Sequence, residues 1–95
     1  SYYNMNFYNM ISESVLRHEN IVLLGKGGEG KTTTLNKLLN SDEPPVKMNL
    51  KNYMIFHEYH KDIEKITGQF ILAINQLNEI KNLQKQYTLI NFNDP

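Results

Sequence analysis

The chain has 95 residues, ten basic and ten acidic side chains, and no cysteine. This length allows at most one small domain, and the balanced charge gives no evidence of a basic surface for nucleic acid or an anionic membrane. Without cysteine there is no disulfide framework and no thiolate metal site, and no apolar run approaches the roughly 18 residues of a membrane-spanning helix. We expect a cytoplasmic location, with which these features are compatible.

The first half of the chain predicts a helix over residues 7–18, a strand over 20–24 and a second helix over 31–40. Apolar residues recur at helical spacing in both helical segments. The strand contains the continuous apolar run Ile21-Val22-Leu23-Leu24, which is typical of a buried parallel strand.

The second half predicts a loop, a strand, a long helix and a last strand. The loop is Ser41-Asp42-Glu43-Pro44-Pro45, because paired prolines are incompatible with a helix interior or a central strand. Loosely alternating apolar residues predict a strand over 46–56. Apolar residues at 3-4-3-4-3 spacing predict an amphipathic helix over 63–86, and Tyr87–Phe92 is predicted to be a strand.

The predicted order is a helix followed by β-loop-α-β-α-β. This alternation predicts an α/β fold, a three-layer sandwich in which helices cover a parallel sheet. The chain begins without Met and stops at Asp94-Pro95, directly after an apolar run. We therefore expect residues 1–95 to be part of a larger nucleotide-binding domain, truncated at its C-terminal end.

The most informative stretch is Gly25-Lys26-Gly27-Gly28-Glu29-Gly30-Lys31-Thr32, between the predicted strand and helix. It fits the phosphate-loop pattern G-x-x-x-x-G-K-[ST]. A triphosphate carries too much charge for one side chain, so backbone N–H groups must converge on it from a concave loop. The glycines allow the close approach of backbone to phosphate oxygens, and the following helix presents its N-terminal N–H groups to the same oxygens.

This pattern predicts a contiguous set of nucleotide-binding residues: Gly25, Lys26, Gly27, Gly28, Glu29, Gly30, Lys31, Thr32 and Thr33. Lys31 is expected to reach the β- and γ-phosphates and to act as the catalytic residue, and the Thr32 hydroxyl is expected to ligate Mg²⁺. The predicted cofactor is ATP or GTP with Mg²⁺.

With Ile21–Leu24 before the loop and Leu35, Leu38 and Leu39 on one face of the helix after it, the segment resembles the phosphate-loop NTPases. Its loop looks like those of GTPases and of the STAND or NB-ARC ATPases of plant-immunity-type switches. The resemblance implies an NTP-hydrolysing switch or motor domain, and hence part of a phosphoryl-transfer hydrolase. The alternative is a module that holds nucleotide without turnover.

Two stretches concern metal binding. The NTPase resemblance implies a Mg²⁺-coordinating Asp after a later apolar strand, and Asp94, which follows Tyr87–Phe92, is the residue that matches. His57-Glu58-Tyr59-His60 places two imidazoles beside a carboxylate, but no third ligand follows at a suitable spacing. No metal site is therefore predicted at the histidines.

The same loop also contains G-x-G-x-x-G, from Gly25 to Gly30, and in this it resembles the glycine-rich loop of protein kinases. That resemblance implies Lys47 and Glu79 as the ion pair that positions the α- and β-phosphates. It also requires residues 32–39 to form a strand, whereas their leucines follow a helical period. The NTPase interpretation is therefore favoured, and an N-lobe fragment of a kinase is the alternative.

Overall fold

The structure, a computed structural model, describes residues 5–27 and 30–93. In these ranges no helix is long and apolar enough to cross a membrane. The elements in chain order are α1 (Met5–Leu16), β1 (Ile21–Leu24), α2 (Lys31–Leu39), α3 (Pro44–Leu50), β2 (Tyr53–Phe56), a first 3₁₀ helix (Lys61–Lys65), β3 (Gln69–Ile74), a second 3₁₀ helix (Leu77–Ile80) and β4 (Thr88–Asn91).

The strands form a parallel, four-stranded sheet in the order β2-β3-β1-β4. β1 is an interior strand, in which Leu23 pairs with Ala73 of β3 on one side and with Ile90 of β4 on the other. All of β1 is buried, which explains why its sequence is continuously apolar instead of alternating. The predicted α/β fold with a parallel sheet is confirmed.

The direction in which the chain crosses the sheet reverses at β2. From β1 the chain passes β3 to reach β2, through α2 and α3 on one face. It then returns to β3 and passes β1 to reach β4, through the two 3₁₀ helices on the opposite face. Crossovers of constant hand require this change of face when the direction reverses. The chain therefore leaves the adjacent ends of β1 and β3 toward opposite faces.

A hydrophobic core lies on each face of the sheet. The core on the helical face contains Ile11, Val15, Leu35, Leu38 and Val46 from the three helices. The core on the other face contains Val22, Leu24, Phe70, Leu72 and Ile74 from the sheet, and Ile63 and Ile80 from the 3₁₀ helices. The third layer of the sandwich thus consists of 3₁₀ helices and loops in place of α-helices.

The strand predicted over 46–56 is wrong in its first half, where α3 (Pro44–Leu50) is found. Only Tyr53–Phe56 is a strand. Pro44 and Pro45 occupy the first positions of α3. Backbone N–H groups at these positions have no partner within a helix, and the φ of proline suits the first turn. The paired prolines therefore begin a helix here.

The long helix predicted over 63–86 is also wrong, because the buried strand β3 lies within it, between the two 3₁₀ helices. The helical spacing arises from residues of separate elements, such as Ile63, Phe70 and Ile80. Every residue from Phe70 to Ile74 is buried, so the continuous apolar run is the pattern that reflects the structure. The element order after β1 is consequently α-α-β-β-β.

Gly68 precedes β3 at a close approach of two backbone segments. A Cβ at Gly68 would overlap the carbonyl oxygen of Asn52, which accepts the N–H of Gln69 at 2.9 Å. We expect Gly68→Ala to lower the free energy of unfolding by about 1–3 kcal/mol, because backbone must shift to accept the methyl group. Urea denaturation measures the change.

The matched control for this substitution is Gly27→Ala, since a Cβ at Gly27 meets nothing within 4 Å. The control should change the urea midpoint much less than Gly68→Ala. Equal losses of stability in the two variants would contradict the close approach at Gly68.

Glu19 joins α1 to the amino ends of the strands. Its carboxylate accepts hydrogen bonds from Ser14 Oγ at 2.6 Å, Arg17 Nε at 3.1 Å and Thr88 Oγ1 at 3.0 Å. Its carbonyl oxygen accepts the Tyr53 hydroxyl at 2.6 Å. The Ser14 hydroxyl, followed by the Arg17 guanidinium, lowers the pKa of Glu19 to about 2.

Acid should therefore destabilise the protein through Glu19. A carboxyl whose pKa is lower in the folded state stabilises the fold above its unfolded value of about 4.5, and this stabilisation is lost as the pH falls toward 2. We expect Glu19→Gln to be less stable than wild type near neutral pH and to lose less stability on acidification, as measured by urea midpoints. The exposed Glu58 provides the control, Glu58→Gln, and parallel acid profiles of wild type and Glu19→Gln would refute the prediction.

Candidate functional site

A crevice of about 230 Å³ lies at the carboxyl ends of β1 and β3. The chain leaves these strands toward opposite faces, and ligands of parallel α/β sheets bind at such switch points. The last residues of the two strands, Leu24 and Ile74, are paired in register. The described residues that line the crevice are Lys26, Gly27, Gly30, Lys31, Thr32, His57, Ala73, Ile74, Asn75 and Glu79.

The ammonium group of Lys31 joins three of the segments around the crevice. Its Nζ donates to the carbonyl oxygens of Gly25 at 2.7 Å and Ile74 at 2.6 Å, and to Asn75 Oδ1 at 2.9 Å. An ammonium group has three N–H donors, so these acceptors use all of them. A phosphate oxygen that bound Lys31 would have to replace at least one of the three.

The charge of Lys31 is not neutralised by direct contact, because its hydrogen-bond acceptors are two carbonyl oxygens and an amide oxygen. Burial lowers the pKa of Lys31, and the nearby carboxylate of Glu79 opposes this shift. A desolvated positive charge held by neutral dipoles favours an anionic ligand.

Gly30 determines how α2 begins. Its φ of 83° and ψ of 6° lie in the left-handed region, which glycine adopts without strain. Its carbonyl oxygen accepts the N–H of Thr34 at 2.9 Å, which starts the helical bonding. Because the N-cap residue is a glycine, no N-cap side chain is present to satisfy the first N–H groups. The first turn lines the crevice through Lys31 and Thr32, which places the positive end of the helix dipole there.

The predicted loop residues are largely found at this place. Gly25 is buried at the end of β1, where its N–H donates to the carbonyl oxygen of Ile74 at 3.0 Å. The backbone N–H of Lys26 donates to Asn93 Oδ1 at 3.2 Å. Thr33 follows on α2 but is not among the lining residues. Of the predicted site residues, five line the crevice: Lys26, Gly27, Gly30, Lys31 and Thr32. Three others, Gly28, Glu29 and Asp94, lie outside the described residues.

Asn75 is a site residue that the sequence analysis missed, and Glu79 was considered only as a kinase residue. Glu79 Oε2 accepts the N–H of Asn75 at 2.9 Å and that of Gln76 at 2.8 Å. These bonds hold the turn after β3, from which Asn75 reaches Lys31. The sequence does contain the signal, since the apolar run Phe70–Ile74 is followed by polar residues, as the run of β1 is followed by its loop.

The structure contradicts the requirements of the kinase interpretation. Lys31–Leu39 is a helix where that interpretation needs a strand. Lys47 belongs to α3, and its Nζ lies 3.9 Å from Asp42. The carboxylate of Glu79 instead binds the backbone of the turn after β3. The residues that the kinase interpretation requires are therefore not arranged as it predicts.

The metal candidates among the described residues are the histidine segment and Thr32. Within residues 5–27 and 30–93 no cluster of three or more His, Asp or Glu side chains could hold a metal ion, and His60 Nδ1 instead accepts the N–H of Asp62 at 3.0 Å. Thr32 lines the crevice beside Lys31. Its hydroxyl is an oxygen donor of the kind that ligates Mg²⁺.

Comparisons with protein-family models, with curated proteins and with solved structures gave no match. The function therefore has to be inferred from the crevice and from the residues that line it.

The contact between Lys31 and Asn75 leads to a prediction about the pKa of Lys31. We expect the pKa of Lys31 to lie below the ordinary lysine value, and Asn75→Asp to raise it by placing a carboxylate beside the ammonium. Titration of the Lys31 ¹³Cε resonance by NMR measures both values. Asn82→Asp adds the same charge at an exposed residue and should have a smaller effect. A Lys31 pKa that Asn75→Asp leaves unchanged would show that the contact is not formed in solution.

Proposed function

We propose that the chain binds the phosphates of a nucleoside triphosphate, ATP or GTP, together with Mg²⁺, in the crevice. The observation that carries this proposal is the position of Lys31. Its ammonium is held by neutral acceptors at the ends of β1 and β3, beside the first turn of α2. A positive charge, a helix N-terminus and glycine backbone thus meet at one small volume.

The size of the crevice favours a phosphate chain over a whole nucleotide as its occupant. Its volume of about 230 Å³ is below the roughly 300–1,000 Å³ that is usual for complete small-molecule sites. In the proposed complex the β- and γ-phosphates lie in the crevice, and the ribose and base extend over the adjacent surface.

Each group has a defined role in the proposed complex. Lys31 exchanges one of its present acceptors for an oxygen of the β- or γ-phosphate, and backbone N–H groups of the loop and of α2 bind the same phosphates. The Thr32 hydroxyl holds Mg²⁺, with Asp94 as the second candidate ligand from the NTPase resemblance. Mg²⁺ bound there would supply further neutralisation of the phosphate charge.

Hydrolysis is a separate part of the proposal, in which the chain belongs to an NTP-hydrolysing switch or motor domain. Turnover requires a group that orients the attacking water, in addition to phosphate binding. A single-turnover assay with γ-labelled nucleotide separates the two functions, since a binding module returns the nucleotide intact. Both forms of the proposal place the protein in the cytoplasm, in keeping with its cysteine-free composition.

Removal of the Lys31 ammonium should abolish most of the affinity. We expect Lys31→Ala to weaken the binding of MgATP or MgGTP by about 100-fold, because one hydrogen bond between an ammonium and a phosphate contributes up to about 3 kcal/mol. Isothermal titration calorimetry measures the dissociation constants. Lys37→Ala removes the same charge from the exposed part of α2 and should leave binding nearly unchanged.

Two results would refute nucleotide binding at the crevice. One is an equal affinity of the Lys31→Ala and Lys37→Ala variants. The other is a wild-type melting temperature that neither MgATP nor MgGTP raises, since a ligand of the folded state must stabilise it. Circular dichroism confirms that each variant retains its helices.

A further inference from the structure

One side of the crevice is formed by segments other than the loop after β1. His57 directly follows β2 (Tyr53–Phe56) and lines the crevice with Asn75 and Glu79. β2 is separated from β1 by β3 in the sheet. His57 therefore approaches the crevice from across β3, opposite the loop that follows β1.

The contacts of Lys31 indicate the direction in which a phosphate chain would run through the crevice. The ammonium group starts from the first turn of α2 and reaches Ile74 and Asn75 at the end of β3. A phosphate chain that begins at the α2 amides and contacts this ammonium extends the same way along the edge of the sheet. In the proposed complex the terminal phosphate lies on the side of Asn75 and His57, and the nucleoside lies toward β4.

We propose that His57 binds the terminal phosphate and makes the site prefer triphosphates over diphosphates, an inference that rests on the proposed nucleotide binding. A neutral imidazole can donate one N–H to a phosphate oxygen, and its protonated form also adds a positive charge. A diphosphate bound in the same register ends before it reaches the β2 side. The selectivity thus comes from a residue that lies outside the phosphate loop.

The charged groups around His57 come from several elements. Lys26 and Lys31 line the crevice from the loop after β1 and from α2, and Glu79 lines it from the second 3₁₀ helix. Glu79 Oε2 is already bonded to two backbone N–H groups, and the adjacent Glu58 is exposed. Because a bound phosphate is anionic, it favours the protonated imidazole. Triphosphate preference should therefore be greater at about pH 6 than at about pH 8.

The test compares affinities for the β,γ-imido analogue of ATP and for ADP, with the guanine pair in parallel, using calorimetry near pH 6 and near pH 8. At the lower pH, His57→Gln should reduce the triphosphate preference about fivefold to tenfold. His60→Gln is the matched control, since His60 caps the first 3₁₀ helix and does not line the crevice. Only differences between variants are used, because protonation of the phosphate itself affects all of them equally.

A second variant separates charge from structure. His57→Lys keeps a positive charge at both pH values, so its triphosphate preference should persist and depend less on pH than that of wild type. His57→Gln with the wild-type preference at both pH values would overturn the proposal. If His57→Gln does not fold, a His57→Lys variant whose preference changes with pH as in wild type would overturn it.

The outcome for His57 is distinguishable from the outcome for nucleotide binding itself. If wild type binds both nucleotides, and Lys31→Ala weakens both while His57→Gln changes neither, the proposed function stands and the role of His57 is refuted. If wild type binds neither nucleotide, both proposals are refuted.

Discussion

The hydrogen bonds of the Lys31 ammonium connect the parts of the molecule on which the proposed function depends. They join the first turn of α2 to the end of β1 through Gly25, and to the end of β3 through Ile74 and Asn75. Since every one of these acceptors is a neutral oxygen, dipoles stabilise the charge without cancelling it. The carboxyl ends of the two strands are buried and paired in register, so the charge is held at a fixed place.

That place exists because of the strand order. β3 joins the sheet next to β1 only after the chain has reversed its direction at β2, so the segments after β1 and β3 diverge onto opposite faces. The loop and α2 go one way, and the turn that contains Asn75 and Glu79 goes the other. The second face is covered by short 3₁₀ helices, and the second of these begins directly after the turn that follows β3. Glu79, five residues after Ile74, therefore still borders the crevice.

Sequence reasoning succeeded where the signal is local and failed where it is not. The glycine spacing of the loop and the apolar run of β1 identified the strand, the loop and α2 within a residue or so of their bounds. β3 was missed because apolar residues of neighbouring elements happen to repeat at helical intervals, and Asn75 was missed with it. Pro44-Pro45 is compatible with either a loop or the start of a helix, since proline disrupts a helix interior but suits a first turn. The contact of Lys31 with Asn75 joins residues 44 apart, which no local pattern encodes.

The neutral side chain of Asn75 affects how much of the phosphate charge the protein must balance in the proposed site, and how much the metal balances. A carboxylate at the end of β3 would neutralise Lys31 and add an oxygen ligand for Mg²⁺. An amide is uncharged, and the Oδ1 of Asn75 already accepts from Lys31, so in the proposed site Lys31 keeps its charge for the phosphates, and Thr32 is the one described residue to which we assign a metal contact. A larger share of the phosphate charge must then be balanced by cationic side chains. Of the described residues that line the crevice, Lys26, Lys31 and His57 are those that can supply it, which is the electrostatic reason to expect His57 to engage the terminal phosphate.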